Sequence, residues 1–140
     1  MNRRTSFALR IIAVTLVVLA YPAFILGYTW SYVARADLPG GRAGPLDAYR
    51  HTLASAAVAF TLSPRVVEWT TWAMERSDSA ENLMDRHNNQ IGAVIGSNAR
   101  RLSDIEPTVH SQVLHGTVNA TDRLQVTWLP PQRWRRAWLW

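Results

Sequence analysis

The chain has 140 residues, 48% of them hydrophobic and 18% charged, which excludes a disordered or low-complexity tail and allows one compact domain with an appended segment. It has no cysteine, so disulfide frameworks, zinc ribbons, iron–sulfur centres and cysteine nucleophiles are excluded together. The net charge of +5 comes from seven arginines at the two ends, where no acid stands; over residues 37–132 the other eight arginines face all ten acids, a net of −2, and no nucleic-acid-tracking face is expected.

Residues 1–36 read as a short cytoplasmic stub and a transmembrane signal-anchor. From Ile11 to Val33 no residue is charged, and at ~1.5 Å per residue the run crosses a ~30 Å hydrocarbon core as a helix. Tyr21-Pro22 lies in its middle, where a kink is expected and tolerated. Tyr28, Trp30 and Tyr32 cluster at the far end, as aromatic side chains do at a water–lipid boundary. Arg3, Arg4 and Arg10 precede the run, which places the N-terminus in the cytoplasm, the helix in the inner (cytoplasmic) membrane as a single pass, and the rest in the periplasm or exterior. Ala34-Arg35-Ala36 also fits a signal-peptidase site, an alternative that still exports residues 37–140.

Residues 37–46 (DLPGGRAGPL) read as a linker, and residues 47–118 as a helical domain. Its first helix spans Asp47–Leu62, with small residues at helical spacing. Ser63-Pro64 is a helix-start signal for a second helix to about Arg76, with Val66, Trp69, Thr70 and Ala73 on one face. Ser79 with Asn82, or Ser77 with Ala80 and Glu81 nearby, caps a third, from about Ala80 to Arg101, with a core stripe of Leu83 or Met84, His87, Ile91, and Val94 or Ile95. Ser103-Asp104 starts a short fourth helix ending near Gly116, its apolar side Val109, Val113 and Leu114. Leu124–Trp128 alternates like a strand but has no visible partner, so residues 119–140 read as an extended tail. The expected fold is therefore all-α: a transmembrane helix, three to four domain helices and a Trp/Arg-rich tail.

Two polar stretches stand out. Helical spacing stacks Asp47, His51 and Ser55 on one helix, and aligns Asp85, Asn88, Asn89, Gly92 and Gly96 on the third. Adjacent asparagines are a poor choice inside a helix, since asparagine competes with the backbone for hydrogen bonds. Gly92 and Gly96 leave a groove for a second helix; docking the first helix there brings Arg50 and His51 to Asp85 and Asn89, and Glu75 adds a further carboxylate. Such a set could perform acid–base or metal-assisted hydrolysis, with His51 as base, Asp85 or Asp47 orienting it and Arg50 holding an anion. No sharp metal motif is present, and neither a metal nor another cofactor is assigned.

The Asp47-Ala48-x-Arg50-His51 and Met84-Asp85-x-His87-Asn88-Asn89-x-x-Gly92 motifs resemble a poorly characterised bacterial helical domain found in secreted proteins and at the C-terminal ends of polymorphic toxins. The resemblance covers residues 44–116. It implies an α-helical domain in which Asp47, Arg50, His51, Glu75, Asp85, Asn88 and Asn89 form one polar centre, and implies no reaction. Met74 stands before Glu75, where a histidine is usual in that domain.

Trp134, Arg135, Arg136, Trp138 and Trp140 end the chain, a composition suited to lipid headgroups or to a groove of the domain itself or of a partner. Membrane lipids and other membrane or envelope proteins are the expected partners. Without a nameable nucleophile, metal motif or oxyanion site, the sequence favours a non-catalytic subunit of a larger membrane assembly, its polar centre a self-satisfying network. The alternative is a membrane-tethered hydrolase of a lipid or cell-wall substrate.

Overall fold

The computed structural model describes residues 3–136. It is mostly helical, with α1 (Arg3–Val33), α2 (Pro45–Thr61), α3 (Pro64–Met74), α4 (Ala80–Asn98) and α5 (Ile105–Leu114), and a two-residue parallel pair of β1 (Thr117–Val118) with β2 (Thr127–Trp128). Among the described residues one helix, α1, is long and apolar enough to cross a membrane, and it continues through Pro22. Its N-terminal part is exposed, but its last turns are built into the domain. Thr29 and Val33 are buried, Tyr28, Trp30 and Tyr32 pack against the core, and the Tyr21 hydroxyl lies 2.6 Å from Thr61 Oγ1.

The central element is α2, which touches α1, α3, α4, α5 and β2. Alanines make this possible: Ala48, Ala56 and Ala57 are fully buried and let neighbours approach closely. The closest neighbour is α4. A Cβ on Gly92 would meet the Thr52 carbonyl, and one on Gly96 the Ala56 carbonyl, so both glycines are required by backbone contact. Around this pair the core closes with Tyr49, Leu53, Ile91, Ile105, Val109, Val113 and Val126.

Ser63 and Ser79 cap α3 and α4, accepting from the Val66 and Asn82 amides. In α3, however, Val66, Trp69, Thr70 and Ala73 do not form the inner face; Val67 and Thr71 turn inward, and Trp69 and Trp72 are exposed. Val67 packs on Ala59 and Ala93, a shallow surface of small residues with no room for an indole. In α4, Met84 and Ile91 are buried as expected of a core stripe, while Leu83 and Val94 are exposed and His87 is half-buried, its Nε2 2.8 Å from the Gln125 carbonyl.

The terminal segments pack onto the domain. Residues 37–46 are not a free linker: Ala43 is fully buried at φ 61°, held there by an amide donation to Asp47 and by Leu129 donating to its carbonyl. Residues 119–135 are not a free tail. β2 finds its partner in β1, through Thr117↔Thr127 and Val118↔Trp128, a match too short to register as alternation. Val126, Thr127 and Leu129 are buried, and Arg135 pairs antiparallel with Arg42. Trp134 lies over Gly40 and Gly44 and donates from Nε1 to the Leu129 carbonyl, so this indole is seated on its own domain. Arg136 is exposed, and Trp138 and Trp140 lie outside the described residues.

Candidate functional site

Three of the polar residues meet where the first turns of α2 face the first half of α4. The i, i+4 spacing puts Asp47 and His51 on one side of α2, and the glycine contact brings Asp85 of α4 opposite them. His51 Nε2 is 3.6 Å from Asp47 Oδ1 and 3.6 Å from Asp85 Oδ1, and one donor atom from each residue lies within 4.8 Å of the other two. An imidazole nitrogen flanked by two carboxylate oxygens can share a proton or hold a cation.

Asp47 and Arg50 are the inner wall. Arg50 is buried, pairs with Asp47 Oδ1 and reaches the Gly41 carbonyl, while Asp47 Oδ2 accepts from the Ala43 amide at 2.5 Å. The Arg50 guanidinium, on a side chain 4% exposed, is bound to this carboxylate and positions it. Asn88 is likewise structural. Its Nδ2 donates to the Thr127 carbonyl and its Oδ1 accepts from the Thr127 amide, so the side chain serves β2 as a neighbouring strand would. Asn89 accepts from Ser55 Oγ at 2.8 Å and donates to Thr71 Oγ1 at 3.1 Å, linking α2, α4 and α3. Thr71 lines a groove of about 600 Å³ between α3 and α4, with Val67, Glu68, Trp72, Arg86 and Gln90.

The electrostatics set Asp85 apart. Burial pushes its carboxyl up to about 8, helped by the negative charges of Asp47 and Glu75 and opposed by Arg50 and Arg42. Burial lowers His51, against the pull of Asp47 and with the repulsion of Arg50. Glu75 is half-buried and raised, first by burial and then by Asp47, which places it at the border of the same field. Asp85 Oδ1 is enclosed and accepts no hydrogen bond; 3.6 Å to His51 is too long for one.

Sequence periodicity points to Asp47, His51, Ser55, Asp85 and Asn89. It cannot point to Thr71, Ala43 or Thr127, because each is tied in through a different element and two of them through backbone groups. His110 and His115 stand apart, one edge-on to Tyr49 and the other exposed. Set against known protein families, curated proteins and solved structures, the chain matches none.

Proposed function

We propose that this chain is a single-pass membrane protein whose exported helical domain hydrolyses an ester or phosphoester of the cell envelope at the His51–Asp47–Asp85 centre. One observation carries the reading: the centre does not satisfy itself. A purely structural network closes its hydrogen bonds, whereas here an enclosed carboxylate oxygen accepts none, beside an imidazole and a second carboxylate. Water activated at this centre adds to the carbonyl carbon or phosphorus, the bond to the leaving oxygen breaks, and the proton lost by the water returns to that oxygen. The α3–α4 groove reaches Thr71, the hydrogen-bond partner of Asn89.

The exposed, apolar N-terminal part of α1 and the arginines before it support membrane insertion with an outward domain. The test is turnover of a panel of envelope esters and phosphoesters by the detergent-solubilised chain. His51→Ala and Asp85→Asn should each lower kcat/KM at least about a hundredfold while the protein stays folded; no turnover of any panel member by the wild type rejects the reading. A second reading, an accessory subunit of a membrane assembly, is favoured by the outward faces of Trp69, Trp72 and Met74 on α3. In that case Trp69→Ala/Trp72→Ala loses co-purifying envelope proteins and His51→Ala does not.

A further inference from the structure

We propose that Asp47, His51 and Asp85 bind one divalent first-row transition ion, of the Zn²⁺ or Mn²⁺ class, between α2 and α4. This deepens the hydrolase reading by naming what activates the water, and it rests on that reading only for its catalytic meaning, since ion binding is measured by itself.

The donor set is one imidazole nitrogen and two carboxylate oxygens, a mixture that suits zinc and manganese and is unlike the all-oxygen shells of calcium and magnesium. The spacing fits as well. Ligands on a tetrahedral ion with bonds of ~2.1 Å stand about 3.4 Å apart, and His51 Nε2 lies 3.6 Å from each carboxylate oxygen. A second, independent observation points to a ligand: Asp85 Oδ1, on a residue only 9% exposed, is directed at this cluster and has no hydrogen-bond donor. A cation there supplies the missing partner.

The surroundings hold the donors in place, as outer partners of metal ligands do. Asp47 is fixed through both oxygens, one by the Ala43 amide and the other by Arg50. The ligands come from two helices locked by the Gly92 and Gly96 contacts, and the three positions lie on rigid secondary structure rather than on loops. His51 and Asp85 retain about 12% side-chain exposure, which leaves an entry and an open coordination position for water.

The experiment uses the full chain in detergent, stripped with a chelator, and titrated separately with ZnCl₂, MnCl₂ and MgCl₂ by calorimetry, with bound metal counted by mass spectrometry and thermal unfolding followed in parallel. Zn²⁺ or Mn²⁺ should bind at one equivalent and raise Tm by about 5 °C or more at saturating concentration, with no response to Mg²⁺. Asp85→Asn, which keeps shape and removes the charge, should fold at least as well as the wild type without metal and lose the metal-dependent rise in Tm; His51→Ala should lose it too. Absence of saturable binding by the wild type overturns the proposal, as does binding that persists in both variants, which places the ion elsewhere. Turnover by chelator-stripped protein overturns the metal but leaves the hydrolase, whereas stoichiometric, Asp85-dependent binding without any turnover does the reverse.

Discussion

Asp85 faces a field that favours its neutral form, and this has a pH signature. With its carboxyl raised from 3.8 to about 8, its contribution to stability is complete at low pH and is lost as pH rises toward about 8. His51, lowered from 6.5, acts in the opposite sense: its contribution is present above 6.5 and is lost as pH falls below that value. Between about 6.5 and 8 Asp85 is changing, so metal-free wild type should lose stability across that window in urea unfolding with chelator present, and Asp85→Asn should lose less. Asn88 makes a different prediction. Asn88→Ala leaves the buried Thr127 amide and carbonyl without their side-chain partner and should cost about 2–4 kcal/mol, read as a lower denaturant midpoint. The polar residues themselves were visible in the sequence because aspartate, histidine and paired asparagines are costly on a helix face. Their division of labour was not, because Asn88 binds a backbone 39 positions away and Arg50, an i,i+3 partner of Asp47, also reaches the Gly41 carbonyl, which no spacing rule connects to it.

The α2–α4 pair carries most of the domain's helix packing, and it depends on two missing side chains. Alanine normally gains about 1 kcal/mol over glycine within a helix, so Gly96→Ala should stabilise α4 in isolation. In the protein its Cβ collides with the Ala56 carbonyl, a backbone atom that cannot rotate away, and the net effect should be a loss of about 2–3 kcal/mol, measured by thermal unfolding. At the other extreme α3 is held mainly by Val67. Trp72→Ala, at a side chain 72% exposed, should change stability by no more than about 0.5 kcal/mol. Helix starts were legible to within two residues because Ser63-Pro64 and Ser79 are local signals. The inward face of α3 was not, since valines, tryptophans and alanine surround that short helix and only the shallow Ala59/Ala93 surface decides which one fits. The β1–β2 pair was equally hidden: two residues a side carry no periodicity, and half of β2's bonding is supplied by Asn88.

At the scale of the whole molecule, a reporter enzyme active only outside the cytoplasm should work when fused after Trp140 and fail after Asn2, which checks the outward orientation. The domain that such a fusion reports is not suspended from a flexible tether. Residues 37–46 are built into it, and α1 is bonded to it from Tyr21 onward. Exposed side chains of α1 continue past Tyr21 to Phe24 and Leu26, so the largely exposed run from Phe7 to Gly27 covers about 31 Å at 1.5 Å per residue, enough for a ~30 Å hydrocarbon core. A spanning α1 would bring the Tyr21–Thr61 contact, with the exposed Leu62, close to the lipid. His51 stands ten residues back along α2, about 15 Å from that contact. With α1 in a membrane, this contact would tie the centre to one height relative to the lipid and restrict it to bonds presented at that height.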